Sequence, residues 1–264
     1  MPPTGTLGEL TAAAHQRAAL VVNQIAMLRA AVLDVPPSLP FAETLRAANV
    51  RVIAEVKRAS PSKGEIAPHL DAAAQAQAYV EGGAAAISVL TEPNRFGGSL
   101  TDLRDVTGVV QVPVIRKDFL VHPVQLWEAR AAGASVALLI VRALSPDLLQ
   151  ELMDAIAETG LEALVEIRDE RELEHALAVG ARVIGVNNRN LETLVIDATT
   201  APRIIPHIPQ RCIAVAESGM RVPSDIAASA IAGADAILVG SAISASNNPA
   251  LAVRALSTIR RHER

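Results

Sequence analysis

Eight short apolar runs, rich in Val, Ile and Leu, recur along this chain at nearly regular intervals. They begin near Val50, Ala85, Val112, Ser135, Ala163, Val183, Cys212 and Ala236. The mean interval of about 27 residues accommodates a strand, a loop and a helix. Because strands that are buried on both faces read as continuous apolar runs, the pattern indicates a parallel sheet that is covered on both sides.

The segments between the runs have helical patterns, most clearly at residues 71–81, 124–132, 146–159 and 171–179. Several end at a glycine before the next run, as helix C-termini do: Gly82, Gly133, Gly160, Gly180 and Gly233. Eight such units in 264 residues predict a (β/α)8 TIM barrel, an α/β fold, as a single domain over residues 1–264. The structural alternative is a doubly wound open sheet, which needs fewer strands and usually a Gly-rich nucleotide turn that is absent here.

Residues 1–48 precede the first strand and are predicted to form a helical N-terminal extension. Apolar residues recur there at helical spacing, namely Leu10, Val21, Val22, Ile25, Leu28 and Val32. Pro36 and Pro37 are expected to end this helical region, because proline removes a backbone donor and clashes with the preceding turn. We therefore expect one or two helices that pack on the barrel.

Composition excludes several classes of function. With 50% hydrophobic but only 2% aromatic residues, the core must be aliphatic. A net charge of −4 argues against nucleic acid as a partner. No apolar run approaches the ~18 residues that span a membrane, and the N-terminal stretch lacks the features of a signal peptide. Cys212 is the only cysteine, which is typical of a reducing compartment, so we expect a cytoplasmic protein without membrane association.

Signatures of metal and nucleotide sites are absent from the sequence. The six histidines show neither HxH nor HExxH spacing, and a single cysteine excludes structural zinc. Neither GxGxxG nor GxxxxGK[ST] occurs. We therefore expect no metal and no cofactor, and chemistry that side chains perform alone.

Charged and amide residues stand at the C-terminal ends of the predicted strands, where barrel enzymes carry their catalytic groups. They are Glu55 and Lys57 (first strand), Arg116, Lys117 and Asp118 (third), Glu166 (fifth), Asn187, Asn188 and Arg189 (sixth) and Glu217 (seventh). Taken singly, each is more often solvated or paired than catalytic. A barrel brings them to one mouth, where so much buried charge is costly unless a ligand or partners compensate it. As a set they predict an active site.

The loops after the last two strands carry Ser218, Gly219, Gly240 and Ser241. Barrels often bind phosphate there through backbone N–H groups, although an ordinary turn is the alternative. Phe96 and Phe119 follow the second and third strands, with Leu138 and Leu238 at the same level. In a chain so poor in aromatic residues, these side chains suggest an apolar wall for a planar ligand, with core packing as the alternative.

With these residues in place, the chain resembles the indole-3-glycerol phosphate synthase family of tryptophan biosynthesis. The matching segments are VIAEVKRASPSKG (52–64), AISVLTE (86–92), FGGSL (96–100), PVIRKDFLVHPVQLWEARAAGA (113–134), LVEI (164–167), IGVNNRNL (184–191), AVAESGM (214–220) and ADAILVG (234–240). They occur in the order of the family, and AEVKRASPSKG is the most specific of its signatures.

The resemblance implies a carboxy-lyase that converts 1-(2-carboxyphenylamino)-1-deoxyribulose 5-phosphate into indole-3-glycerol phosphate, carbon dioxide and water. By resemblance, Lys117 is the general acid and Glu166 the general base. Lys57 takes part in proton transfer and binds substrate, while Glu55 and Asn187 position the hydroxyls and the amine of the substrate.

The resemblance also implies a set of binding residues. Arg189 faces the anthranilate carboxylate, Ser60 and Phe96 bind from flexible loops, Phe119, Leu138 and Leu238 surround the aromatic ring, and Ser218, Gly219, Gly240 and Ser241 surround the phosphate. The expected partner is this small phosphorylated substrate. We expect a monomer, and association with other enzymes of the tryptophan pathway stays open.

Two alternatives to this function stay open. A catalytically silent or specialised phosphate-binding barrel would share the fold, although the presence of Lys117 and Glu166 does not favour a silent one. Another phosphate-binding barrel enzyme, such as phosphoribosylanthranilate isomerase, needs a Cys or Asp base at other strand ends. Cys212 lies at the start of its strand, on the wrong side for that role.

Overall fold

Each of the eight apolar runs forms a parallel strand in the computed structural model, which describes residues 2–264. The strands are β1 (Arg51–Val56), β2 (Ala86–Leu90), β3 (Val114–Lys117), β4 (Val136–Ile140), β5 (Glu162–Ile167), β6 (Val183–Asn187), β7 (Ile213–Glu217) and β8 (Ala236–Val239). Neighbours along the chain are neighbours in the sheet, and β1 closes it by pairing with both β2 and β8. The predicted (β/α)8 barrel is confirmed, and the open sheet is excluded.

The helices cover the outside of the barrel and its ends. They are α1 (Gly5–Val21), α2 (Ile25–Val32), α3 (Phe41–Thr44), α4 (Ala72–Glu81), α5 (Pro93–Phe96), α6 (Leu100–Thr107), α7 (Pro123–Ala131), α8 (Pro146–Thr159), α9 (Glu170–Ala178), α10 (Thr200–Ile204), α11 (Pro223–Ile231), α12 (Ser241–Ser244) and α13 (Pro249–Leu256). Several helices are capped at their N-termini by a side chain that accepts a hydrogen bond from a backbone N–H group. The capping residues of α4, α6, α8 and α9 are Asp71, Ser99, Ser145 and Asp169, respectively.

Glycines end the interior helices nearly as predicted. Gly133, Gly160 and Gly180 have φ of 87°, 71° and 74°, which is the left-handed conformation of a helix C-terminus. After α4, which ends at Glu81, Gly82 is the C-terminal cap, as predicted. Gly82 still has helical backbone angles, and Gly83, with φ of 96°, is the left-handed residue.

Alternation of side chains along the strands produces two apolar layers. Ile53 and Leu164 belong to the layer inside the barrel, whereas Val52 and Val165 belong to the layer between strands and helices. Leu10 of α1 packs against the inner layer, and so does Phe41 of α3. Both layers are aliphatic apart from a few rings, as the composition predicts.

The N-terminal helices differ in detail from the predicted apolar stripe. Leu10 is buried, but Val22 is exposed and begins a turn of 3-10 helix at Val22–Gln24. This tighter turn rotates α2 relative to α1, so a single helical repeat does not continue through both. α2 packs on α7, where the guanidinium carbon of Arg29 lies 4.9 Å from the centre of the Trp127 ring. The boundary at residue 48 stays a prediction.

No helix within residues 2–264 combines the length and the apolar character that crossing a membrane requires.

Candidate active site

A cleft of about 190 Å³ opens at the C-terminal ends of the strands. Fourteen of the fifteen residues that the sequence analysis assigns to the site line it: Glu55, Lys57, Ser60, Phe96, Lys117, Phe119, Leu138, Asn187, Arg189, Ser218, Gly219, Leu238, Gly240 and Ser241. The remaining residue, Glu166, lies beneath the cleft in contact with Lys117 and Asn187. The structure therefore brings these fifteen residues to one mouth. The expectation is wrong for two other strand-end residues, Arg116 and Asn188, which do not line the cleft. Arg116 projects to α7 instead, where it donates to the carbonyl of Gln125 and pairs with Glu128.

Lys117 ends β3 and lies between two carboxylates. Its Nζ atom is 4.0 Å from Oε2 of Glu55 and 3.8 Å from Oε2 of Glu166. Burial lowers the pKa of Lys117, but the negative charges of Glu166, Glu55 and Glu217 outweigh burial and raise the pKa above its usual range. Lys117 is therefore an ammonium at neutral pH, with a proton to donate.

Glu55 and Lys57 project from β1 and the residue after it, and they form an ion pair. Burial raises the pKa of Glu55, but the charges of Lys57 and Lys117 hold it below its usual value, so Glu55 is ionised. Gly240 makes room for this pair. A Cβ atom there would lie 2.5 Å from Oε1 of Glu55 and 3.2 Å from Nζ of Lys57.

Asn187, at the end of β6, orients Glu166. Its Nδ2 atom donates a hydrogen bond to Oε1 of Glu166 at 2.9 Å, and its Oδ1 atom accepts one from the backbone N–H of Arg189 at 2.9 Å. These two bonds fix the amide and hence the carboxylate. Oε2 of Glu166 is buried without a hydrogen-bond partner among the described residues, which leaves an acceptor beside Lys117.

Glu217 is a site residue to which the sequence analysis assigns no role. Its side chain lines the cleft and is 1% exposed. Burial and the negative charge of Glu166 raise the pKa of Glu217 well above its usual value, which favours the protonated form of its carboxyl group. Its position at the end of β7, inside the segment AVAESGM, is the sequence signal that marks it.

The two glycine-containing loops lie side by side at the cleft. Ser218 and Gly219 have φ of 65° and 86°, so the chain turns sharply after β7. The side chain of Asn188 donates to the carbonyl of Ser218 at 3.0 Å and holds this turn. Gly240 and Ser241 follow β8, and α12 begins at Ser241.

An apolar wall forms on another side of the cleft. The rings of Phe96 and Phe119 are 6.3 Å apart at an angle of 39°. Buried Leu138 and Leu238 continue the wall at the top of the inner core layer. Further residues line the cleft without having been predicted from the sequence: Thr6 and Leu10 of α1, and Leu191, Leu194 and Ile196 of the loop after β6. Nothing in their local pattern distinguishes them from ordinary core or loop residues.

The loop after β1 forms a short hairpin in which Ala59–Ser60 pairs with Gly64–Glu65. The composition of Ser60 to Gly64 suits a mobile turn, and mobility of this loop stays a prediction. Arg58 anchors its base by donating to Asp102 at 2.7 and 2.8 Å. Ser60 is buried, and its hydroxyl makes no hydrogen bond to any residue the structure describes.

Within residues 2–264, no group of three or more His, Cys, Asp or Glu side chains is arranged to hold a metal ion. The expectation that turnover needs no metal or cofactor stays a prediction.

Comparisons with known proteins find relatives that match most of this chain. The family model described as indole-3-glycerol phosphate synthase matches residues 10–256. The indole-3-glycerol phosphate synthase of Nocardioides sp. is 52% identical over 237 residues, which cover 90% of this chain and 91% of that protein. The one of Rhodococcus jostii is 51% identical over 232 residues, which cover 88% of this chain and 86% of that protein.

Solved structures with the same fold are much more distant in sequence. 3-Hexulose-6-phosphate synthase from Salmonella typhimurium aligns with a TM-score of 0.64 at 15% identity, over 79% of this chain and 97% of that one. Thiamine phosphate pyrophosphorylase from Pyrococcus furiosus gives 0.60 at 15% identity, over 82% of this chain and 96% of that one. At this identity the likeness supports the fold alone.

Proposed function

The chain belongs to the indole-3-glycerol phosphate synthase family, and from this premise we propose which residues carry out each step of the reaction. The protein is a carboxy-lyase of tryptophan biosynthesis that acts on a small phosphorylated substrate. The proposed substrate is 1-(2-carboxyphenylamino)-1-deoxyribulose 5-phosphate. The observation that carries the proposal is the position of Lys117 between Glu55 and Glu166, at a mouth that also holds the glycine-containing loops.

Ring closure is the first step. The ring carbon that bears the carboxylate attacks the ribulose C2 carbonyl, and the carbonyl oxygen becomes a hydroxyl by taking a proton. Lys117 supplies that proton, because it is a charged ammonium held in a site with little solvent, where it stabilises the developing negative charge.

Decarboxylation and dehydration follow. When carbon dioxide leaves, the bond between the ring carbon and the carboxylate carbon breaks. Its electron pair stays with the ring system, and the iminium formed in the substrate accepts it. The new hydroxyl then leaves as water with a proton from an acid, which is the proposed task of Lys57, and Glu166 removes a proton from the substrate. Glu166 and its neighbour Asn187 are suitably placed, because the amide fixes one carboxylate oxygen and leaves the other as an acceptor.

Binding is divided among the remaining residues. We assign the anthranilate carboxylate to Arg189, whose guanidinium also donates to the carbonyl of Leu194 at 2.9 Å. Ser60 and the apolar wall of Phe96, Phe119, Leu138 and Leu238 hold the aromatic ring. The phosphate contacts Ser218, Gly219, Gly240 and Ser241, and Glu55 orients the sugar hydroxyls. The raised pKa of Glu217 favours its protonated form, which can donate a hydrogen bond to the same substrate.

The test is formation of indole-3-glycerol phosphate, followed by its fluorescence, with EDTA present and no added cofactor. We expect saturable turnover by the wild type. Glu151→Gln, a change on the exposed face of α8 and outside the cleft, is a control that keeps wild-type turnover. Absence of product at high enzyme concentration would support a silent or specialised phosphate-binding barrel instead.

We further propose that the protein acts as a monomer, because one chain supplies every residue of the cleft named above. Light scattering during size-exclusion chromatography tests this directly. A mass near twice 27.6 kDa at assay concentrations would contradict it.

A further inference from the structure

Charges at the floor of the cleft compensate one another. Lys57 pairs with Glu55, and Lys117 lies close to both Glu55 and Glu166. Asp118, which also lines the cleft, pairs with Arg17 of α1 at 2.6 Å. Three cations that line the cleft, Lys63, Arg189 and Arg221, form no ion pair with any described residue and are left for a substrate that carries both a carboxylate and a phosphate.

Two guanidinium groups that line the cleft, those of Arg189 and Arg221, form no ion pair with any residue the structure describes. Arg189 donates to the carbonyl of Leu194, and the guanidinium of Arg221 makes no hydrogen bond to residues 2–264. Burial, followed by the like charge of Arg221, lowers the pKa of Arg189. Two cations that repel each other at a cleft mouth favour a bound anion.

The backbone of Arg221 is fixed although its side chain is exposed. Asp225 accepts hydrogen bonds from the N–H groups of Arg221 at 2.9 Å and Val222 at 3.1 Å. The carboxylate of Asp225 is therefore engaged at the start of α11 and does not pair with the guanidinium. The left-handed turn of Ser218 and Gly219, which Asn188 holds, is separated from Arg221 by a single residue in the chain. An exposed cation thus extends from a rigid turn.

We propose that Arg221 is a substrate-binding residue whose guanidinium binds the phosphate group beside the Ser218–Gly219 turn. A phosphate monoester carries a charge of about −1.5 to −2 at pH 7 and presents three acceptor oxygens. The planar fork of arginine can donate to two of them at once. This inference deepens the proposed function and rests on it, since it places the phosphate of the same substrate.

The carboxylate of the substrate is the competing anion, and Arg189 is the residue assigned to it above. Loss of Arg221 is therefore expected to weaken binding of phosphate, and loss of Arg189 is expected to weaken binding of a carboxylate. Inorganic phosphate serves as the probe for one subsite and 2-aminobenzoate for the other. Both are titrated calorimetrically into the full chain at constant ionic strength, because exposed charges are screened by salt.

In Arg221→Ala we expect the Kd for inorganic phosphate to rise about tenfold, as loss of a charge-assisted contact predicts. The Kd for 2-aminobenzoate stays within twofold of the wild type. Arg221→Lys keeps the charge but not the planar guanidinium group, so its Kd for phosphate should lie between those of the wild type and Arg221→Ala. In Arg189→Ala we expect the opposite: the Kd for 2-aminobenzoate rises and the Kd for phosphate stays within twofold of the wild type. Val222→Ala is the matched control, because Val222 is 48% exposed on the same loop and does not line the cleft.

Three outcomes would overturn the proposal. A phosphate Kd within twofold of the wild type in Arg221→Ala removes Arg221 from binding. Loss of 2-aminobenzoate binding alone moves Arg221 to the carboxylate. Equal weakening of both probes shows a general field effect rather than a phosphate contact. A wild type that binds phosphate through Arg221 but forms no indole-3-glycerol phosphate contradicts the proposed reaction and leaves this subsite standing.

Discussion

Replacement of Lys117 by methionine is expected to lower kcat by at least about 10² while the barrel still folds. Methionine keeps much of the length of lysine and removes the charge and the proton. The Nζ atom of Lys117 lies 4.0 Å from one carboxylate oxygen and 3.8 Å from another. At an effective dielectric constant of about 20, a charge pair at ~4 Å is worth ~4 kcal/mol.

A developing alkoxide at the same distance would gain a similar amount, since it presents the same charge to the same ammonium. A 10²-fold rate effect requires only ~2.7 kcal/mol, so electrostatic stabilisation alone accounts for it. Lys117→Arg keeps the positive charge but is a poor proton donor. We therefore expect its kcat to lie between those of the wild type and Lys117→Met, and the difference measures the contribution of proton transfer.

The assay is product fluorescence at saturating substrate, with circular dichroism to confirm that each variant is folded. Because neighbouring carboxylates raise the pKa of Lys117 above its usual range, Lys117 stays protonated throughout pH 6–9. Wild-type kcat should therefore show no alkaline decline from this residue in that range. A folded Lys117→Met variant whose kcat stays within tenfold of the wild type would refute the reasoning.

Three further predictions concern neighbouring residues. Gly240→Ala is expected to lower kcat/KM at least about tenfold, because its Cβ would displace the ion pair of Glu55 and Lys57; unchanged kinetics would contradict this. Burial raises the pKa of Glu217 in the folded state, so its stabilising contribution is complete below the unfolded pKa and is lost as pH rises through the folded pKa. Urea unfolding should show that the free energy of unfolding falls less in Glu217→Gln than in the wild type as the pH rises above about 4.5, the unfolded pKa. Burial likewise raises the pKa of Glu172 to about 7. In Glu172→Gln the free energy of unfolding should therefore depend less on pH between about 4.5 and 7 than in the wild type. A pH dependence equal to that of the wild type would contradict this.

Local sequence patterns predict the barrel well because both faces of its strands are covered. The run near Val183 becomes β6 with the predicted start, and the segment 146–159 becomes α8 with both predicted ends. The predicted site residues meet because parallel strands in a barrel direct their C-terminal ends to one mouth. Their individual roles rest on resemblance and stay proposals.

Other features depend on contacts between distant parts of the chain, which a local pattern does not contain. The exposure of Val22 follows from a 3-10 turn between two helices. Thr6 and Leu10 reach the cleft because α1 packs on the inner core layer. The raised pKa of Glu217 comes from burial beside Glu166, a residue on another strand. Sequence position identifies Glu217 as a strand-end residue but does not reveal that its pKa is raised.

Charged residues at the floor of the cleft and at its rim differ in whether they must be paired. Deep groups such as Lys117 and Glu166 must compensate one another, because an unpaired buried charge is strongly destabilising. A rim cation such as Arg221 can stay unpaired, because solvent screens it. Substitutions at the floor should therefore lower kcat and stability together, whereas Arg221→Ala should raise KM with little change in either. If Arg221→Ala lowered kcat as much as Lys117→Met does, this division by depth would be wrong.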